Sequence, residues 1–335
     1  MALPTIKSSP EDFVVDEIPL YEAQGSGPHT FLRIEKRMRT TEEVIGDLAR
    51  VFGVKRRDIG CAGRKDRVAL TRQWFSVPDL DPERASEFEV SGAQVLEAIR
   101  HQNKLRTGHL KGNRFSIWVR DLTDEQIKRA QGKIETFAVT GFPNRFGAQR
   151  FGRDGDNAKR GLAVLQGKAR PRERKQARFL VSALQSLVFN HVLESRPLPL
   201  DQFEVGDLAI KHESGGSFCV EDVATENERA RSFEISPTGP IFGTKVSRPL
   251  GAPAERERDA LMAYGIPDPA NLRPPRGLSL RGARRALRAR PLELAFCAGD
   301  GAAKLAFTLV SGTYATVLLE EVFGPLQIAL GVHSH

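Results

Sequence analysis

Apolar and polar positions follow two alternating rhythms along the first 140 residues. The segment Asp12-Phe13-Val14-Val15-Asp16-Glu17-Ile18 partly alternates, so residues 1–20 are read as extended chain. Thr40-Thr41-Glu42-Glu43 then gives a helix start with acids in its first turn, and Val44, Ile45, Leu48, Val51 and Phe52 keep helical spacing up to Gly53. Short strands are predicted around Ile59–Ala62 and Gln73–Val77. Phe115, Ile117 and Val119 alternate with Ser116 and Trp118, as a half-buried strand does. Ile127, Ala130, Ile134 and Phe137 fit a further amphipathic helix.

After Gly141-Phe142-Pro143 the pattern changes. Residues 157–195 read as mostly helical, with Leu180, Ala183, Leu184, Leu187, Val188 and His191 on one stripe. From 197 to 280 the chain is rich in Pro, Gly and charge, with short apolar pieces at Phe203–Ile210 and Phe218–Val220. A basic helix is predicted over Arg281–Arg290. Alternation returns at Leu305, Phe307 and Leu309, followed by a final helix from Ser311. The reading is an α+β fold in which residues 141–288 are inserted into a domain built from 1–140 and 289–335. There is no internal repeat.

At 335 residues, 40% hydrophobic and 27% charged, the chain is an ordinary globular protein with room for two domains. No apolar run approaches the ~20 residues of a membrane span, and Met1-Ala-Leu-Pro-Thr-Ile-Lys7 lacks the apolar core of a secretory signal. Cys61, Cys219 and Cys297 are odd in number and widely spaced, which fits a reducing cytoplasm better than a disulfide framework or zinc site. Net charge adds more. It is +8, with 36 arginines against 14 lysines, which raises the expectation of a nucleic-acid partner.

Two clusters carry candidate chemistry. Gly60-Cys61-Ala62-Gly63-Arg64-Lys65-Asp66-Arg67 sets a lone carboxylate among Arg64, Lys65, Arg67 and the nearby Arg72, with glycines where backbone approaches a neighbour closely. Nearby cations favour an ionised carboxylate and attract a polyanion, so Asp66 suits nucleophilic or acid–base work on a nucleotide. Composition alone favours the other reading, a surface turn whose Asp makes salt bridges. The second cluster, Arg100 to Arg114, holds five Lys or Arg, two His and no acid, and leads into Phe115. Lys104, Arg106 and Lys111 are candidate phosphate contacts, and Phe115 is either a base-stacking ring or a core residue of its strand. No phosphate loop, dinucleotide-binding turn or metal-ligand spacing is found, and His333 and His335 read as tail residues.

Around these residues the sequence resembles the TruD family of tRNA pseudouridine synthases, which modify uridine 13. The likeness is an ordered series: Lys7-x-x-Pro10-Glu11-Asp12-Phe13-Val14-Val15, then Ala62-Gly63-x-Lys65-Asp66-Arg67 with Thr71-x-Gln73-Trp74-Phe75. Lys111-Gly112-Asn113-x-Phe115, Pro143-Asn144-x-Phe146-Gly147-x-Gln149-Arg150-Phe151-Gly152 and Ser311-Gly312-x-Tyr314-Ala315-Thr316 complete it. Tyr314 stands where the family often has Phe, and likeness fades in the insertion beyond residue 195.

The resemblance implies a pseudouridine-synthase catalytic domain with a mixed central sheet, interrupted by an inserted α+β domain. It implies Asp66 as the catalytic aspartate, Lys7 beside it, and Asn113, Phe115 and Tyr314 around the uridine. Isomerisation by base flipping needs no cofactor, metal or methyl donor. The implied partner is tRNA, with no protein partner or membrane, for a monomer in the cytoplasm. Electrostatics further predicts that Lys7 and Asp66 lie within salt-bridge reach. Two rival readings are a non-catalytic tRNA-binding protein, against which the intact Asp66 box argues, and a uridine methyltransferase, for which a donor loop is missing.

Overall fold

The computed structural model describes residues 3–266, 268–272, 274–275 and 277–329; the first two residues of the chain and the tail histidines His333 and His335 lie outside them. The chain runs β1 (Thr5–Ile6), β2 (Phe13–Pro19), β3 (His29–Arg37), α1 (Thr41–Phe52), β4 (Gly60–Cys61), β5 (Leu70–Pro78) and α2 (Pro82–Ser86). It continues with β6 (Glu89–Val90), β7 (Ala93–His101), β8 (Leu110–Arg120), α3 (Asp124–Thr140), β9 (Phe142–Pro143), α4 (Asn157–Leu165) and α5 (Arg174–Glu194). Then come β10 (Leu208–Lys211), β11 (Ser217–Cys219), α6 (Val223–Arg231), β12 (Ile235–Ile241), α7 (Gly251–Ala263), β13 (Ala283–Ala286) and β14 (Arg288–Ala289). The last elements are β15 (Leu292–Gly299), β16 (Ala302–Val310), α8 (Ala315–Phe323) and β17 (Gln327–Ile328).

These elements form two compact units. The first takes Met1–Ile134, Pro291–Gly312 and Val322–His335, and the second takes Glu135–Arg290 and Thr313–Glu321. The first is built on an 11-stranded mixed sheet with the order β15-β16-β8-β2-β5-β3-β7-β6, to which β1, β4 and β17 add at the sides. Pairs β2/β5 and β1/β17 are parallel, and the other neighbours antiparallel.

Helix α1 forms where the pattern placed it. Thr40 and Glu43 cap each other's backbone amides in a capping box, and Gly53 at φ 71° ends the helix in the left-handed conformation. Its buried Val44, Ile45 and Leu48 lie on Leu32, Ile34, Phe75 and Val77 of the sheet. Each side chain so buried stabilises the fold by roughly 1.5–3 kcal/mol. Register carries that same sheet face across the unit: Lys36 opposes Thr71, Thr71 opposes Val15, Val15 opposes Phe115, and Phe115 opposes Phe307. Directly opposed side chains share a face. One face therefore presents Lys36, Thr71, Val15, Phe115 and Phe307 in a row, with Glu17 and Asn113 opposed one step along.

In the second unit α5 lies at the core. Leu180, Leu184 and Val188 are buried with Val164 of α4, and Ala260 and Leu261 of α7. A four-stranded sheet, β11-β10-β12-β13, accompanies these helices, and β14 pairs with β9. The expected basic helix over Arg281–Arg290 is absent; the segment is strands β13 and β14. Arg and Ala favour a helix locally, but pairing with β12 prevails because alternation lets β13 turn Arg284 inward to Glu257, at 2.7 Å. Arg288 is buried as well, with hydrogen bonds to Ser236, Thr140, Ala230 and Ile235. Much of this cluster is interior structure and not a phosphate-facing surface.

Candidate active site

Asp66 sits in the irregular segment 62–69 that joins β4 to β5. The segment begins close to its neighbours: at Gly60 a Cβ would fall 2.2 Å from the Leu105 carbonyl oxygen, so only glycine fits. Gly63 is different, since a Cβ there meets nothing nearer than Lys65 Nζ at 3.9 Å, and close approach does not explain it.

Side chains from four elements hold this segment. Thr41 Oγ1, at the start of α1, accepts from the Lys65 amide at 3.0 Å and donates to Gln73 Oε1 at 3.0 Å. Gln73 in turn donates from Nε2 to the Gly63 carbonyl at 2.6 Å. Lys36 on β3 is fully buried and donates to the carbonyls of Asp66 at 2.9 Å and Arg39 at 2.7 Å. Burial pulls the Lys36 ammonium down to about 8, against the opposing attraction of Asp66. Lys65 reaches Glu17 on β2 at 2.6 Å, with both side chains buried. The expectation that Lys65 meets RNA is thereby corrected: its ammonium points into the protein and is occupied by a carboxylate.

The carboxylate of Asp66 faces outward while its cation lies beneath. Lys7 Nζ is 2.9 Å from Asp66 Oδ2; the Lys7 side chain is 5% exposed and that of Asp66 48%. The predicted pairing across 59 positions is therefore present. Lys7 follows β1 with φ 59°, a left-handed backbone in place of the extended one expected, and such a conformation costs a non-glycine residue about 1–2 kcal/mol. It carries the side chain over the Phe13 ring, 4.4 Å from the centroid. Phe13 touches Phe115 edge-on, and Phe115 stacks on Phe307 at 5.2 Å. Phe115 is thus buried and part of the core of its strand, with its ring engaged by Phe13 and Phe307.

Two polar atoms in this row have no hydrogen-bond partner although they are buried: Asn113 Oδ1 and Thr71 Oγ1. An unpaired buried polar group costs about 1–3 kcal/mol, a cost that a partner from outside the protein, such as water or a ligand, would remove.

The other candidate cations are at the surface. Arg64 is exposed and pairs with Glu42 at 3.0 Å, and Arg67 is exposed with Nε on the Met38 carbonyl. Lys104, half-buried, donates to the Arg57 carbonyl at 2.6 Å; Arg106 and Lys111 are exposed. Lys104 and Arg106 line a polar cavity of about 410 Å³ with Tyr21, His101 and His109. Tyr21 stacks on His101 at 5.1 Å, and its hydroxyl is 2.5 Å from His109 Nδ1. Tyr314 belongs to the second unit, where its ring meets Phe146 edge-on at 5.9 Å. Arg285 lies over the other ring of that pair, 4.3 Å from the Phe146 centroid.

Sequence reasoning missed Glu17 and Lys36. Lys36 left a trace, because it falls in the inward phase of Leu32 and Ile34 on an alternating strand. Glu17 shares the phase of Phe13 and Val15 in the same way.

The fold that carries this site matches a solved one. A crystal structure described as tRNA pseudouridine synthase D from Methanosarcina mazei superposes with a TM-score of 0.77 at 23% identity, covering 96% of this chain and 94% of that one. The tRNA pseudouridine synthase D of Anaeromyxobacter dehalogenans strain 2CP-1 is 42% identical over 326 residues, 95% of this chain and 92% of its own length. That of Thermus thermophilus is 42% identical over 321 residues, 95% of this chain and 88% of its own. The family model for tRNA pseudouridine synthase D (TruD) matches residues 4–171 and 169–322. The chain belongs to the TruD family.

Proposed function

We propose that this chain isomerises uridine 13 of tRNA to pseudouridine, without a cofactor, using Asp66 as its catalytic carboxylate. The observation that carries this reading is the Lys7–Asp66 pair, in which a buried ammonium holds a half-exposed carboxylate at 2.9 Å. A carboxylate tethered this way on a segment fixed from four elements is pre-set for a reaction outside the protein surface.

The reaction breaks N1–C1′, rotates the base and joins C5 to C1′; the proton on C5 is lost and N1 gains one, so composition and oxidation state are unchanged. A stacked uridine cannot turn, and flipping it out of the RNA exposes the base to Asp66. Asp66 acts on the flipped nucleotide as nucleophile or acid–base group. Asn113, whose Oδ1 lacks a partner, accepts from a donor edge such as the uracil N3–H, and Phe115 backs the apolar floor. Arg64, Arg67, Lys104, Arg106 and Lys111 contact phosphates.

The same reading takes 141–288 as an inserted domain and the enzyme as a monomer in the cytoplasm. Free Cys61, Cys219 and Cys297 support a reducing compartment, and among the described residues no helix is long and apolar enough to cross a membrane.

Asp66→Asn tests it. The amide keeps volume and removes the negative charge, so pseudouridine at position 13, read by carbodiimide mapping of tRNA, falls to background while tRNA affinity stays within about threefold, well under one tenfold step of 1.4 kcal/mol. Undiminished turnover by the purified variant rejects the assignment.

A further inference from the structure

The second unit carries a cleft of about 460 Å³ between the end of α4, the start of α5 and the stretch holding Pro275, Gly277 and Leu278. This size is within the ~300–1,000 Å³ of ligand pockets. Its walls are apolar, from Leu165, Ala177 and Leu278, and its rim holds Arg170, Arg172 and Arg174.

The rim arginines belong to a dense group. Lys168, Arg170, Arg172, Arg174, Lys175 and Arg178 fall within eleven positions and are all exposed, and Glu173 is the one acid among them. Among the described residues none of the six is paired with a carboxylate, although the flanking Arg160 has Asp156. Several other arginines of the unit are neutralised: Arg196 by Asp207, Arg229 by Glu226 and Glu234, Arg256 by Glu204. Six uncompensated cations repel one another, a cost that an anionic partner relieves. Arginine in place of lysine at all three rim positions adds planes that stack on bases and forks that fit phosphate.

We infer that this cleft is an RNA-binding site that takes an unpaired nucleotide of the tRNA, with the base against the apolar walls and the flanking phosphates on Arg170, Arg172 and Arg174. Single-stranded, unstacked positions are where proteins engage an RNA base by stacking and apolar contact. An acidic peptide would satisfy the charges but leaves the base-sized apolar floor unexplained. The inference rests on the enzymatic reading above for the identity of the RNA, and adds a second grip remote in sequence from the Asp66 segment.

Two variants test it together, each checked for an unchanged melting temperature, with the full-length protein and unmodified tRNA transcript. The triple change Arg170→Ser, Arg172→Ser, Arg174→Ser raises the tRNA Kd and KM at least tenfold and leaves kcat at saturating tRNA within twofold. It also reduces the slope of log K against log salt by about 2, at ~0.7 for each single-strand phosphate that is no longer neutralised. Ala177→Phe fills the cleft without altering charge, and weakens binding with the slope unchanged. Affinity that survives Ala177→Phe intact overturns the cleft, even if the arginine changes weaken binding as a surface patch. Wild-type protein that modifies tRNA while both variants bind normally overturns this inference alone. Wild-type protein that does not hold tRNA overturns it together with the enzymatic reading.

Discussion

Lys36 shows how a single side chain can couple the pH of the solution to a catalytic segment. Its ammonium is fully buried and bonded to the carbonyls of Asp66 and Arg39, and burial sets its titration at about 8. The groups that act on it are Asp66 and Glu43, which favour the charge, and Lys65, which opposes it. As pH rises through 8 the ammonium becomes an amine and its charge-assisted bonds weaken. Turnover is therefore expected to fall on the alkaline side with a midpoint near 8. Lys36→Arg, whose guanidinium stays charged, moves that limb upward, and Lys36→Met lowers kcat about tenfold or more at every pH. An alkaline limb identical in wild type and Lys36→Arg rejects the coupling. Stability has the opposite sign. The folded value lies below the 10.5 of an exposed lysine, so between about 8 and 10.5 the unfolded chain binds more protons and this residue's burial penalty is relieved. Lys36 was hard to see in the sequence because a lysine in the inward phase of a strand is usually a break in the pattern. Only the fold reveals that carbonyls await it. Asp66, by contrast, stood out among its cations, and Lys7 through the family resemblance.

At the level of elements, patterns with a local cause were legible. The Thr40 box and Gly53 bound α1 within a residue, because cap and stop act on their own helix. Strand β13 was not legible: an Ala- and Arg-rich run satisfies helix propensity, and its partners Thr238 to Ile241 lie more than forty positions earlier. Strand β12, Ile235–Ile241, escaped for a related reason, since it holds two prolines and a glycine in a strand buried up to its last residue. The cost of misreading that region is shown by Arg288, which binds three carbonyls and the Ser236 hydroxyl and lies 4.5 Å over the Phe233 ring. Arg288→Met takes this donor from the Thr140 and Ile235 carbonyls, while Ser236 keeps His212 and Ala230 keeps the Phe233 amide. At about 1–3 kcal/mol per orphaned group, a loss of some 3 kcal/mol is expected, or a melting midpoint about 6–12 °C lower by calorimetry. A midpoint within 2 °C of wild type would show that water replaces the guanidinium.

For the whole molecule, the net charge of +8 predicts tRNA affinity that declines linearly in log K against log salt. With part of the basic run at 281–290 turned inward, the exposed Arg106 and Lys111 and the half-buried Lys104 are, with Arg64 and Arg67, the proposed phosphate contacts of the first unit. Joint replacement of Lys104, Arg106 and Lys111 by serine should flatten the slope by about 2, and an unchanged slope in a fluorescence titration rejects that surface. The α+β class was legible from the order of patterns along the chain, whereas the mixed central sheet was expected only from the family resemblance. Strand order was not, because register depends on partners far apart: β8 pairs with β2 on one side and β16 on the other.

That last pairing has a consequence for synthesis. Strand β8 ends at Arg120 and β16 begins at Ala302, about 180 positions later on the ribosome. At ~5–20 residues per second, one long edge of a hydrophobic sheet stays without its neighbour for about 10–35 s. The stretch 135–290 meanwhile emerges as one continuous run, and its own unit is completed only by Thr313–Glu321, which follows β16. The nascent first unit thus waits, half-sheeted, for a strand still being translated, and this interval is when chaperones are needed most.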